Sequence, residues 1–259
     1  MVSGIDPGDR GFTLGDGLFE TVLAETGALR DLPAHLDRMI AGCAVLGLPP
    51  PDRSVAEAVM RQSLADAGLS GARAAVRLTL TAGSGGRGLD RPEPLKPVLV
   101  ATAAPAPRPT TPARLAISTI RRNERSPSSS LKTLAYLDNV LARREARASG
   151  ADEAVMLDTQ GRLACAAAAN LFWISEGRLL TPAPACGVLP GIVRARLIAA
   201  AGERHVGVEE VSVGPEALAS AEAIWLTNSL FGLREVAGFA GRALSPHPLA
   251  EFFRRMLDV

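Results

Sequence analysis

The spacing of apolar residues along the chain predicts two helices near its N-terminus. Apolar side chains recur at helical spacing over residues 33–46 and predict a helix that ends at Gly47. A second helix is predicted over residues 54–67. Ser54 would be its N-cap, and Glu57, three residues later, would complete a capping box.

Strands follow these helices and then mix with further helices. Alternating and β-branched residues predict strands over residues 74–82 and 98–104. Later in the chain we predict strands over residues 114–120, 153–158, 170–174 and 224–227, and helices over residues 134–149 and 192–201. Because strands and helices do not alternate strictly, the order favours an α+β architecture over a doubly wound sheet.

A proline-rich segment, APAPRPTTPA, separates two parts of the chain. Its proline density rules out a helix and favours an extended linker. We therefore predict a small N-terminal α/β domain over residues 1–103, a linker over residues 104–113, and a larger C-terminal domain over residues 114–259.

Composition narrows the classes of partner. The chain has 28 basic and 27 acidic residues, and only 4% of its residues are aromatic. It therefore has neither the charge nor the stacking surface typical of a nucleic-acid or membrane-surface protein. The N-terminal segment MVSGIDPGDRGF has no apolar signal core, and no uncharged run is long enough to cross a membrane.

The three cysteines, Cys43, Cys165 and Cys186, are far apart and form no CxxC pair. This spacing argues against a zinc site of the usual kind and against a disulfide framework. Together with the N-terminal segment, it predicts a cytoplasmic protein with no bound metal.

Two short motifs have alternative interpretations that their surroundings exclude. Gly83, Gly85 and Gly88 match GxGxxG, but three prolines follow, so no helix can begin there to bind a pyrophosphate. We predict a flexible glycine-rich turn. Ser129 and Lys132 form SxxK, but the companion motifs of penicillin-binding enzymes are missing.

The histidines and lysines differ in what they suggest. His35, His205 and His247 are scattered, and we predict that they are surface or capping residues. The chain has only two lysines, of which Lys132 lies between a polar turn and the helix predicted from residue 134. A cation is disfavoured at a helix N-terminus, and a lysine beside positive potential becomes a better nucleophile toward aldehydes.

Several segments occur in an order that is typical of one enzyme family. They are DPGDRGFTLGDGLFET, HLDRM, LKTLAYLDNVLARREARASGADEAVMLD, AANLFW, LLTP, GVLPGIVR and LTNSLFG. From Asp6 to about Val236, the chain thus resembles the class IV aminotransferases, which are the fold-type IV pyridoxal-phosphate enzymes. The resemblance implies a two-domain α+β fold of the D-amino-acid aminotransferase type, with pyridoxal 5'-phosphate between the domains, and a homodimer.

The resemblance also implies roles for individual residues. Lys132 would hold the cofactor covalently and then move the substrate's α-proton, and Arg38 would pair with the cofactor phosphate, which suits a guanidinium fork. Phe19 and Thr21, two residues apart on a strand, would share one face and line the substrate pocket. The other implied cofactor-binding residues are Cys165, Leu189, Ile192, Val193, Asn228 and Ser229.

The residues that would hold a substrate carboxylate are not identified by these motifs. The candidates are Arg121, Arg122 and Arg234. The alternative is that they are ordinary surface arginines.

Cys165 is the main departure from the family pattern. At its position, five residues before Asn170, the family normally has a glutamate that pairs with the cofactor's pyridine nitrogen, and no acid lies between Asp158 and Glu176. A neutral thiol offers at most a weak hydrogen bond, so the cofactor would be a weaker electron sink. Our hypothesis is that Cys165 favours β-elimination over transamination; the alternative is that it has disabled the enzyme.

The reaction itself has three candidates. TNSLFGLREV resembles the NSL-x-G-x-x-P-V stretch of aminodeoxychorismate lyase, with Glu235 at the proline position. This resemblance implies a small-molecule amino substrate, 4-amino-4-deoxychorismate, which is converted to pyruvate and 4-aminobenzoate for folate synthesis. The second candidate is an aminotransferase for D-amino or branched-chain amino acids. The third is a homologue that keeps the fold but not the activity.

Overall fold

The computed structural model describes residues 4–257. The first three residues of the N-terminal segment, and the last two residues of the predicted C-terminal domain, lie outside the described residues. Within this range the chain divides into two compact units. The N-terminal unit runs through Pro107 and also includes Leu131–Ala135, whereas the C-terminal unit comprises Arg108–Ser130 and the chain from Tyr136 onward.

The N-terminal unit is a four-stranded antiparallel sheet with strand order β2-β1-β3-β4. Its elements are α1 (Arg10–Leu14), β1 (Gly17–Glu25), β2 (Ala28–Leu29), α2 (Leu32–Leu46), α3 (Arg53–Asp66), β3 (Ala74–Thr81) and β4 (Val98–Pro105). Alternate residues of β1, namely Leu18, Val22 and Ala24, join apolar residues of α2, α3 and β3 in one core. Strand alternation places Phe19 and Thr21 on the opposite face of β1, as predicted.

The C-terminal unit is built on a mixed sheet, to which nine strands belong in the described part of the chain. Its order is β10-β9-β8-β11-β12-β5-β6-β7, with β13 paired to β12. The strands are β5 (Ala113–Arg122), β6 (Glu153–Asp158), β7 (Leu163–Ala166), β8 (Asn170–Ser175), β9 (Arg178–Pro182), β10 (Val208–Val211), β11 (Ala223–Asn228), β12 (Gly232–Phe239) and β13 (Arg242–Ala243).

The central strands of the C-terminal unit are buried on both faces. They are α4 (Pro127–Ser130), α5 (Leu137–Ala148), a 3-10 turn (Pro184–Cys186), α6 (Ile192–Glu203), α7 (Glu216–Ala219) and α8 (Pro248–Leu257). Trp225 of β11 packs into one core with α6 and α8, whereas its neighbours Ile224 and Leu226 belong to a second core. Such alternate burial explains why β11 reads as an almost continuous apolar run.

The predicted α+β architecture is confirmed, because both units mix helices with largely antiparallel sheets. No helix in residues 4–257 is long and apolar enough to span a membrane.

The predicted cap of α3 is wrong. The N-cap is Asp52, whose carboxylate accepts the Val55 N–H at 3.0 Å, and Ser54 instead donates to Asp52. A carboxylate two residues earlier satisfies the same first-turn donors, so the helix begins one residue before the predicted start.

Candidate active site

Lys132 lies in a turn, directly before Thr133, which forms an isolated β-bridge with Leu18 of β1; it does not lie at the start of a helix. Its carbonyl accepts the Phe19 N–H at 2.9 Å, and the Leu134 N–H donates to the Gly17 carbonyl at 3.0 Å. The helix predicted from residue 134 begins only at Leu137. Because the Lys132 carbonyl and the Leu134 N–H both bond to β1, neither group is available for a helical turn. The argument from a helix N-terminus beside Lys132 is therefore wrong.

The side chain of Lys132 lies over the ring of Phe19. The distance from Nζ to the ring centroid is 4.2 Å, and the Arg77 guanidinium carbon lies 3.6 Å from the same centroid. Arg77 of β3 is directly opposite Thr21 of β1 in the sheet register. Phe19, Thr21, Arg77 and the Lys132 amine thus lie together in the N-terminal unit.

Sequence reasoning missed Arg77. Its position in the alternating pattern of β3 placed it on the polar face of that strand, but the pairing with Thr21 depends on the register between β1 and β3. That register was not predicted.

Arg38 is held by a buried carboxylate. Its Nε donates to Glu20 Oε1 at 2.8 Å, and one Nη donates to Glu20 Oε2 at 2.6 Å. His35 Nδ1 lies 2.7 Å from the same Oε2. Burial by itself would raise the pKa of Glu20, but the hydrogen bonds and charge of Arg38 and the bond to His35 hold that pKa below its ordinary value. The prediction for His35 is wrong, because its side chain is buried.

The start of α6 offers backbone donors. Gly191 is its N-cap, and no side chain of the described residues caps the first turn. The N–H groups of Ile192 and Val193 therefore lie at the positive end of a 12-residue helix, an arrangement that suits an anion. Asn170 shapes this turn by donating to the Leu189 carbonyl at 2.9 Å.

Asn228 and Ser229 lie in the turn that follows β11. Asn228 Oδ1 accepts the N–H groups of Leu230 and Phe231 at 2.9 and 3.1 Å, and its Nδ2 donates to the Ala168 carbonyl at 3.1 Å. Asn228 thus bonds within its own turn and to the loop between β7 and β8. The contact of Asn228 and Ser229 with a phosphate remains a prediction.

Cys165 lies on β7, opposite Met156, and is only 6% exposed. Burial raises the pKa of its thiol, and the charge of Arg122 lowers that pKa by less. The thiol is therefore uncharged near neutral pH. Glu153, which is also buried, is paired with Arg143 across 3.2 Å. All three cysteines are free and buried.

The arginine candidates for a substrate carboxylate have carbonyl partners. Arg122 is buried and donates to the carbonyls of Gly187, at 2.6 Å, and Ser129. The alternative of a surface arginine is therefore wrong for Arg122. Arg121 donates to the Ser118 carbonyl at 2.9 Å, and Arg234 to the Thr111 carbonyl at 3.0 Å. Their role in substrate binding remains a prediction.

Two other sequence features have structural roles. Glu235 fastens α8 to β12, because it accepts the His247 N–H at 3.0 Å and also pairs with Arg254. The glycine-rich turn is tied to Arg10, which donates to the carbonyls of Gly88, Leu89 and Asp90.

Comparison with known proteins supports a single family. The sequence model of amino-transferase class IV matches residues 17–239. The aminodeoxychorismate lyase of Vibrio harveyi is 27% identical over 256 residues, which cover 96% of this chain and 93% of that protein. A Mycobacterium tuberculosis protein described as a bifunctional aminodeoxychorismate lyase and D-amino acid transaminase is 27% identical over 269 residues, covering 94% and 89%.

A solved structure agrees with these sequence relatives. The crystal structure of 4-amino-4-deoxychorismate lyase from Pseudomonas aeruginosa matches with a TM-score of 0.86 at 29% identity, and covers 99% of this chain and 95% of that chain.

Proposed function

This chain belongs to the amino-transferase class IV family, and we propose that within the family it is a lyase that releases pyruvate from 4-amino-4-deoxychorismate and leaves 4-aminobenzoate. The family is one of pyridoxal-phosphate enzymes, so the chain is an enzyme with that cofactor. Its relatives include both lyases and transaminases. The choice between these reactions is our proposal.

The donor groups of this chain are of the kinds that pyridoxal phosphate requires. An amine is available at Lys132, and the uncapped first turn of α6 presents N–H groups suited to a phosphate. An added Cβ at Gly191 would lie 1.9 Å from Asn170 Oδ1, so the start of α6 has no room for a side chain. Arg38 carries a guanidinium with the geometry for a phosphate.

These residues have distinct proposed tasks. Bound pyridoxal phosphate supplies an electron sink for the electrons released at the substrate's α-carbon. Lys132 Nζ accepts the α-proton. Arg38 and the N–H groups of Ile192 and Val193 bind phosphate, while Phe19 and Thr21 line the substrate pocket.

The neutral, buried thiol of Cys165 is the observation that carries the choice of a lyase. A thiol cannot supply the negative charge that would keep a pyridine nitrogen protonated. Transamination depends strongly on that protonation, because the electrons must be held until a proton returns to the cofactor carbon. Loss of pyruvate from aminodeoxychorismate creates an aromatic ring, so this elimination needs less help from the cofactor.

The test is an assay of the purified protein, supplied with pyridoxal phosphate, for pyruvate and 4-aminobenzoate released from 4-amino-4-deoxychorismate. We expect the two products in equal amounts. Lys132→Ala should abolish both products and the visible absorbance of the covalently held cofactor. Lys96→Ala is the matched control, because Lys96 is the only other lysine and is exposed; it should behave as wild type.

An aminotransferase for D-amino or branched-chain amino acids is the second candidate. The likeness to the bifunctional Mycobacterium tuberculosis protein favours keeping it. If this candidate is correct, mixing the enzyme with D-alanine or leucine converts the cofactor to its amine form, with loss of the visible absorbance. The rate of this conversion then exceeds the lyase rate. If neither reaction occurs although the cofactor binds, the chain is the impaired homologue.

We also propose, from the family resemblance, that the protein is a homodimer in the cytoplasm. Sedimentation equilibrium should give a mass close to twice 27.0 kDa. A single species of one chain mass would contradict this proposal.

A further inference from the structure

We propose that Glu20 and His35 are positioning residues, which orient Arg38 and thereby set how strongly the enzyme prefers pyridoxal phosphate over unphosphorylated pyridoxal. The inference rests on the phosphate-binding role proposed above for Arg38. It concerns two residues that touch neither the substrate nor the reacting atoms.

The first step is that Glu20 occupies a place where strand alternation demands an apolar residue. Leu18 and Val22, two residues to either side, belong to the apolar core between the sheet and its helices. Glu20 itself is only 1% exposed. A buried carboxylate is costly unless it is paired and hydrogen-bonded. Packing alone therefore does not explain a glutamate at this core position.

The second step is that both oxygens of the Glu20 carboxylate are hydrogen-bonded to side chains of α2. Both of its oxygens accept hydrogen bonds from Arg38, and Oε2 is also bonded to His35. His35 and Arg38 are three residues apart on α2 and hence share one helix face. The three side chains thus form one cluster inside the N-terminal unit.

The third step concerns the histidine ring. His35 is 1% exposed, and its Nε2 is buried with no hydrogen-bond partner in the described part of the chain. The arrangement with fewest unsatisfied groups has the proton on Nδ1, where it is donated to Glu20. The buried ring then restrains the plane of the carboxylate through this bond.

The fourth step is the orientation that this cluster imposes on Arg38. Glu20 binds the edge formed by Nε and one Nη, so the plane of the guanidinium is set by the plane of the carboxylate. The other edge, formed by the two Nη atoms, is the one with which the fork would meet a phosphate. Because bidentate recognition depends on that plane, a small rotation of the carboxylate should weaken phosphate binding.

The test compares equilibrium dissociation constants for pyridoxal phosphate and pyridoxal, both followed by visible absorbance. The ratio of the two constants isolates the phosphate contribution, since both compounds have the same aldehyde and ring. Glu20→Asp keeps the charge but withdraws the carboxylate from Arg38. We expect the preference for the phosphorylated compound to fall by about tenfold, the scale of one charge-assisted hydrogen bond.

His35 provides a second pair of variants. His35→Leu removes the donor and should lower the preference, whereas His35→Asn retains a donor near the place of Nδ1 and should restore much of it. Glu25→Asp is the matched control, because Glu25 is on the same strand and pairs with Arg73 at 3.1 Å. It should leave the preference unchanged, even if it lowers the melting temperature.

The outcomes separate this inference from the proposed function. If the wild type does not bind pyridoxal phosphate, the proposed function is wrong. If it binds, and the preference in Glu20→Asp and His35→Leu equals that of the control, the positioning role is wrong. If these variants do not fold, a crystal structure of the wild-type complex decides: Arg38 must contact the phosphate while it keeps both bonds to Glu20, and release of Arg38 from Glu20 overturns the inference.

Discussion

At the scale of single residues, the chemistry of this enzyme depends on whether the surroundings of each buried ionisable group favour its charged or its neutral form. Glu20 is buried among partners that stabilise its charge, whereas Cys165 is buried where its charged form is disfavoured. One position therefore keeps a full negative charge and the other has none. The contrast supports opposite roles, with Glu20 orienting a cation and Cys165 leaving a cofactor nitrogen without a charged partner.

The first prediction concerns the reaction balance at Cys165. Cys165→Glu should increase transamination relative to elimination by at least about tenfold, because a carboxylate would favour a protonated pyridine nitrogen. Both turnover numbers are measured on the same preparation, with D-alanine and with aminodeoxychorismate. Cys165→Ser, which keeps a neutral side chain, should leave the ratio close to that of wild type. An unchanged ratio in Cys165→Glu would falsify the hypothesis.

At the scale of elements, the start of α6 and the pair β1–α2 supply the proposed phosphate donors. Both are shaped by side-chain contacts to the backbone or to a buried group. Asn170 holds the turn before α6, and Glu20 connects β1 to α2. A change in either connection should affect cofactor binding as well as stability.

Gly191→Ala tests the start of α6. The added Cβ would meet Asn170 Oδ1 at 1.9 Å, and Asn170 could move only by losing its bond to the Leu189 carbonyl. We expect a loss of about 1–3 kcal/mol in the free energy of unfolding and weaker binding of pyridoxal phosphate. Gly202→Ala in the same helix meets no atom within 4 Å, and should stabilise the protein by about 0.5–1 kcal/mol. Equal cofactor affinity in both variants would contradict the prediction.

The connection between β1 and α2 should make stability depend on acid. The pKa of Glu20 in the folded protein lies below its ordinary value of 4.5. Its stabilising contribution is therefore complete above that pH and is lost as pH falls through the lower, folded-state pKa. Urea unfolding at a series of pH values should show a smaller acid-induced loss in Glu20→Gln than in wild type. Identical slopes below pH 4.5 would show that Glu20 is not responsible.

At the scale of the whole molecule, cofactor binding and folding should be linked, because the proposed ligands are far apart in sequence and are brought into place only by folding. Pyridoxal phosphate at a hundred times its dissociation constant should stabilise the fold by about 2.7 kcal/mol, which corresponds to about 5–10 °C in Tm for a chain of this size. Lys132→Ala should show a clearly smaller shift at the same concentration. Equal shifts in the two proteins would mean that Lys132 does not anchor the cofactor.

The sequence by itself determined the family, the α+β architecture and many of the longer helices and strands, but not β12 or α8. Local signals suffice for these features, since helical and strand spacing and the order of motifs are properties of neighbouring residues. The helices α2 and α6 begin within one residue of the predicted starts at residues 33 and 192. The resemblance to the family likewise pointed to Lys132 and to the departure at Cys165.

Only the tertiary structure decided what surrounds those residues. The segment that follows Lys132 bonds to β1, more than a hundred residues earlier in the chain, and for this reason the helix predicted from residue 134 begins only at Leu137. The same sheet register brings Arg77 opposite Thr21, and the packing of α2 on β1 places His35 and Arg38 against Glu20. Such partners are distant in sequence, and no local pattern encodes their register, because a backbone donor bonds to whichever acceptor the assembled fold presents.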